Sequence, residues 1–211
     1  MHRLVISILL ATSVAHAAPP EPKGPHPRML LDHELRGQWK AMAKLSAGPV
    51  VGAIRQCEAA RVSRDHDRAL YQGSEWAKVL QACLVAWVAT DSKDDAATAI
   101  KYFTALLDDL DRLGDGRGGD QAARRDQGYS IRNLAPYTAL AYDWLHGHPL
   151  LTPELKARAR QRWKAWLDWY REKGYRATSP GSNYHAGYLI AATTIAIAQA
   201  GDAGPDGAAL W

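Results

Sequence analysis

Pro180-Gly181-Ser182-Asn183-Tyr184-His185-Ala186-Gly187-Tyr188 is a turn running into the first turns of a helix, and the reading of this stretch organises the rest of the chain. Pro180 and Gly181 mark the turn, Ser182 or Asn183 supplies the N-cap, and the run to Gln199 is nearly free of charge. Tyr184, Tyr188, Ala191, Ile195 and Ala198 form one stripe. Ala186, Leu189, Ile190, Thr193 and Ile197 make the other faces almost as apolar, which predicts a helix enclosed by neighbours. Its first turn is then an interior site with unbonded N–H groups.

Working back along the chain, the same period recurs. Asp32 caps a helix reaching about Ser46, with Leu35, Trp39, Met42 and Ala43 on its apolar side. Gly48 and Pro49 open a second helix ending near Val62. Trp76, Val79, Leu80, Cys83, Leu84, Trp87 and Val88 hold the i, i+3, i+4 spacing of a third, capped by Ser74. Ser92 caps a fourth, with Ala96, Ile100, Phe103, Leu107 and Leu110 inside. Gly114 to Gly128 is glycine-rich and charged and reads as a flexible loop; it lacks phosphate-loop spacing and a preceding strand. A fifth helix runs from about Ser130 to His146. A sixth begins at Thr152-Pro153-Glu154, a cap followed by a first-position proline and an acid, and Gly174 stops it. The seventh is the helix quoted first. No stretch alternates as strands do, so the fold class is all-α, built from about seven antiparallel helices.

The connections before helices three, five and seven are long, roughly nine to fifteen residues, and the others short. In an antiparallel succession the long ones share one end, so helices three, five and seven are expected inside, their positive ends converging on a place suited to an anion. Gly204 to Trp211 reads as the opening of an eighth helix, which makes the 211 residues look like part of a longer protein.

Composition bounds the function. The chain is 47% hydrophobic, enough for a substantial core, and residues 1–17 read as a signal peptide: Arg3, the apolar run Leu4 to Leu10, and Ala15-His16-Ala17 as the cleavage site. Residues 18–29 form a leader and 30–211 the helical domain. No other segment is apolar for long enough to span a bilayer, so a periplasmic or secreted protein is expected. Loss of Arg3, with no acid lost alongside it, lowers the net charge from +4 to +3. That mild excess, without a basic block, gives nucleic-acid binding no support and is compatible with an acidic polymer. Cys57 and Cys83 admit two readings, a disulfide or two separate buried thiols. No metal or cofactor set is apparent: His146 and His148 flank a turn and His66 lies between two aspartates, but neither group has a second cluster at ligand spacing.

Four strings taken in order carry a resemblance: His26-Pro27-Arg28-Met29-Leu30-Leu31, Ala139-Leu140-Ala141-Tyr142-Asp143-Trp144-Leu145, Leu151-Thr152-Pro153-Glu154-Leu155, and Asn183-Tyr184-His185-Ala186-Gly187-Tyr188. Together they resemble the N-terminal helical domain of heparinase II/III-like polysaccharide lyases, alginate lyases included, over about residues 26–211. The resemblance implies an incomplete α/α toroid that a β-sandwich domain would follow. It also implies β-elimination on a uronate-containing acidic polysaccharide, with Asn183 and His185 at the positions that neutralise the substrate carboxylate. Two residues on a helix diverge, so both reach one ligand only with Asn183 in the cap.

Each residue also has a plainer role. Asn183 and His185 can be a cap and a bonded first-turn residue. Tyr184 and Tyr188 can be core stripe or a sugar-stacking surface. Tyr129, Arg132 and Tyr137, at the start of helix five, can pack the loop or contact a uronate. Asp108, Asp109 and Asp111 read as a solvated helix end. The alternatives for the whole chain are a non-catalytic glycan-binding or scaffold protein, and a glycoside hydrolase on a similar toroid, for which Asp126 and Asp143 are the candidate carboxylates.

Overall fold

The computed structural model describes residues 22–63, 74–108 and 121–202. The expected signal peptide, the start of the leader, residues 114–120 of the glycine-rich stretch, Asp109, Asp111, His66 and the expected eighth-helix opening lie outside the described residues.

Among the described residues the chain forms eight α-helices and no strand: α1 His33–Lys44, α2 Gly48–Val62, α3 Ser74–Thr90, α4 Lys93–Asp108, α5 Gln121–Gly128, α6 Ile131–Trp144, α7 Pro153–Lys173 and α8 Asn183–Gln199. The caps follow local chemistry. Asp32 accepts the Leu35 N–H, Thr152 accepts the Leu155 N–H, and Ser182 accepts the Tyr184 N–H. The extra helix is α5, which replaces the second half of the expected loop 114–128. It is short and polar, and it ends where Asp126, Gln127 and Gly128 all take positive φ. Gly128 is needed there, since a Cβ would lie 2.5 Å from the Tyr170 ring.

α6 is the most enclosed helix. It packs against α8 on one side and α3 on another, with α4 and α7 also touching it. Arg132 meets Gly187 near the start of α6, and Tyr142 bonds Asp202 near its end, so α6 and α8 run parallel with their N-termini together. That placement agrees with the expected convergence for these two helices. α8 itself is less enclosed than its composition suggests. Ala191, Ile195 and Ala198 are buried as the stripe predicts, but Leu189 is 49% and Ile190 53% exposed, because the helix has neighbours on one side only among the described residues.

The core gathers Trp163, Trp166, Tyr170, Tyr102, Phe103 and Tyr142 around leucines of α3 and α4. The Trp163 indole N–H donates to Thr138 Oγ1 at 2.9 Å, while the buried Trp166 indole N–H has no hydrogen-bond partner among the described residues. Cys57 of α2 and Cys83 of α3 are both fully buried and joined as a disulfide, which selects the first of the two readings. Beside it, Arg61 pairs with the buried Asp95 at 2.7 Å, and the Lys101 ammonium donates to the carbonyls of Ala60 and Ser63 at the C-terminus of α2. Asp108 is not simply solvated: it pairs with Arg158 of α7, tying α4 to that helix.

The segment before α1 is tied to α6 and α8 by side-chain and backbone hydrogen bonds. Asp143, on α6 and fully buried, accepts from His26 Nδ1–H at 2.6 Å, from the Arg28 N–H at 2.8 and 3.0 Å, and from the Met29 N–H at 2.8 Å. The Trp144 indole donates to the Met29 carbonyl at 2.8 Å, and Arg28 donates to the carbonyls of Ile197 and Ala200, capping the C-terminus of α8. Two of the four quoted strings, 26–31 and 139–145, are therefore the two halves of one contact.

Candidate functional site

The parallel start of α6 and α8 places most of the expected site residues side by side. Tyr184 is the hub. Its ring meets Tyr129 and Tyr175 edge-on, both at 4.9 Å between centroids, and its hydroxyl donates to Asp126 Oδ1 at 3.2 Å. The Arg132 guanidinium lies 4.5 Å over the Tyr129 ring, and that of Arg176 lies 5.4 Å from the Tyr175 ring. Gly187 makes the approach possible, since a Cβ there would come 2.8 Å from Arg132 Cβ. Tyr175 and Arg176, in the turn after α7, and Asp126 belong to this group. The Tyr175 N–H bonds the Gln127 carbonyl at 2.9 Å, joining that turn to the end of α5.

His185 is half-buried. Its Nδ1–H donates to the Ala177 carbonyl at 2.7 Å, which leaves Nε2 as the ring atom able to accept a proton or a hydrogen bond. Tyr188 stacks on Tyr170 at 5.0 Å and 10°, with His185 6.0 Å away, so Tyr188 is largely a packing residue. Burial pushes the Tyr170 phenol up, with Tyr184 and Tyr188 adding to it, and its hydroxyl donates to the Tyr175 carbonyl. It is a poor base.

Two expectations change. The N-cap is Ser182, and Asn183 is the exposed first residue of the helix. Asn183 and His185 then diverge by about 200° around the axis. Tyr137 is also separate from the group: it lies farther along α6, lining a groove of about 490 Å³ with Met29, Leu30, Leu140, Thr194 and Ile197. The carboxylate pair imagined for a hydrolase is absent, because Asp143 is buried and spent on residues 26–29.

A second polar group lies at the opposite, C-terminal end of α6 and α8. His26 and His146 stack at 3.7 Å, and the Asp202 carboxylate sits against their edges. His146 Nε2 lies 2.6 Å from Asp202 Oδ2, Tyr142 donates to the same oxygen at 2.9 Å, and Arg160 donates to the Tyr142 hydroxyl. Burial pushes the Tyr142 phenol well up, and Asp202 adds to the shift. Burial alone would raise the Asp202 carboxyl, but the bonds from Tyr142 and His146 outweigh it and hold the group below the usual carboxylate range. Sequence reading misses this group because its members are separated by up to 176 positions, from His26 to Asp202.

Comparison with protein-family models, with curated proteins and with solved structures returns no match for this chain. Among the described residues no helix is long and apolar enough to cross a membrane.

Proposed function

We propose that the protein is an exported helical domain, arranged as part of an α/α toroid, that binds a uronate-containing acidic polysaccharide at the α8 N-terminus and cleaves it by β-elimination. The observation that carries this reading is the grouping of Arg132, Arg176, His185 and the rings of Tyr129, Tyr175 and Tyr184 around a positive helix end. Aromatic faces suit sugar rings, and guanidinium groups with first-turn N–H groups suit a carboxylate. In such a site the carboxylate charge is neutralised, the C5 proton becomes removable, and the C4 oxygen leaves. His185 Nε2, the ring atom left able to accept, is positioned to share in this as base. The Cys57–Cys83 disulfide is in keeping with a periplasmic or secreted location.

A second reading, a glycan-binding domain without catalysis, is favoured by one observation: Asn183 stands in the first helical position and not in the cap. The two readings part in one assay. Incubated with a polyuronate, the protein is expected to generate the ultraviolet absorbance of an unsaturated uronate. His185→Ala should lower the rate about a hundredfold, roughly 3 kcal/mol of transition-state stabilisation, whereas Asn183→Ala, whose side chain diverges from His185, should leave it nearly unchanged. Ser182 keeps the cap, so the melting temperature of Asn183→Ala should stay nearly unchanged. Binding without any absorbance change would leave the glycan-binding reading; a rate unaltered in His185→Ala would remove His185 from the chemistry.

A further inference from the structure

We propose that His26, His146 and Asp202 form a binding site for one zinc-class divalent cation, which fastens the segment before α1 to the end of α8. The ligand atoms of the three residues lie within 4.8 Å of one another, and the set joins two imidazoles to one carboxylate. That donor mixture suits zinc, cobalt or nickel and is poor for magnesium or calcium, which take oxygen.

The strongest observation is His26. Its side chain is only 9% exposed, and its Nδ1–H is committed to the buried Asp143 carboxylate at 2.6 Å. Nε2 is therefore the lone-pair nitrogen, and it is buried without a hydrogen-bond partner; Asp202 Oδ2 lies 3.8 Å away, beyond bonding distance. An unmatched buried acceptor is costly, and a cation is a ligand that matches it. A carboxylate behind the other ring nitrogen is the arrangement that fixes the tautomer and orientation of a metal-binding histidine. Asp202 is braced in the same manner by Tyr142, itself held by Arg160.

His146 supplies the second nitrogen. His146 Nε2 lies 2.6 Å from Asp202 Oδ2, so the neutral ring carries its proton on Nε2 toward the carboxylate; on binding, that proton shifts to Nδ1 and the cation takes its place between the two atoms. The stacked rings must splay for both lone pairs to meet one ion. His146 lies on the turn after α6 and is 23% exposed, so its ring is the one placed to turn. The C-terminal ends of the parallel helices α6 and α8 add a field favourable to a cation. One group opposes it: the Lys156 ammonium lies 3.2 Å from His146 Nε2 and must swing outward on binding.

The test uses tag-free, chelator-treated protein titrated with zinc alone, and with cobalt as a spectroscopic probe. One equivalent of zinc is expected to bind and to raise the melting temperature by roughly 5–10 °C at a hundredfold excess over Kd. Cobalt should give the visible bands of a four- or five-coordinate site. His146→Ala and the isosteric Asp202→Asn, neither of which touches the Asp143 anchor, should each weaken zinc at least about a hundredfold. Lys156→Met should tighten it several-fold by removing the opposing charge, and His148→Ala should leave it unchanged. Binding below a tenth of an equivalent, or zinc affinity retained in both His146→Ala and Asp202→Asn, would overturn the proposal and leave the group as a hydrogen-bonded strap.

Discussion

Replacing Asp143 with alanine should cost about 4 kcal/mol of stability, because the change strands one buried and two partly buried donors at once. The carboxylate is fully buried and accepts from His26 Nδ1–H and from the N–H groups of Arg28 and Met29. Its removal leaves these groups without partners and frees the segment whose Arg28 caps α8. For a chain of this size the melting temperature should fall by roughly 8–16 °C. Asp143→Asn should lose most of the same stability, since the amide presents its own donors to N–H groups and can accept at only one atom. Thermal and denaturant melts of both variants are the check. A loss below about 1 kcal/mol would mean that residues 26–29 contribute little to the fold.

Removal of the Cys57–Cys83 bond should have the next largest effect on stability. The two cysteines are 26 positions apart, and closing a loop of that length restricts the unfolded chain by about 3.5 kcal/mol in the chain-entropy model. The double variant Cys57→Ala/Cys83→Ala should therefore melt roughly 7–14 °C lower. Because both sulfurs are fully buried, a reductant should act slowly on the folded protein and quickly once denaturant is added. Identical melts for oxidised and fully reduced protein would contradict the account.

Local chemistry explains which parts of the fold were legible. Asp32, Thr152 and Gly174 mark helix ends with side-chain or backbone signals that act within four residues, and each end lies where those signals put it. α5 was hidden because glycines and charges surround a helix of two turns that has no apolar stripe to reveal it. α8 misleads in the opposite sense. Its all-round apolar surface suggests enclosure, while Leu189 and Ile190 are half exposed, since composition reports what a face prefers and not what covers it.

The sites were legible only in part, for a related reason. Tyr184, Tyr129 and Arg132 could be placed together from the expected convergence of helix starts. Tyr175, Arg176 and Asp126 join them through a turn and a short helix that carry no sequence signal. Ser182 and Asn183 are both competent capping side chains, and it is Ser182 that accepts the Tyr184 N–H. The pairing of His26 with Asp143 bridges 117 positions, and sequence spacing holds no trace of it beyond the separate strings.

The central claim is that the start of α8 recognises an acidic sugar polymer, and calorimetric titration tests it most directly. The protein would be titrated with an oligouronate and with a neutral oligosaccharide of equal length. The account predicts a single site for the oligouronate, weakened by added salt and weakened about tenfold by Arg132→Gln, with the neutral sugar bound far more weakly. Equal affinity for the two sugars, or oligouronate binding untouched by Arg132→Gln, would contradict it.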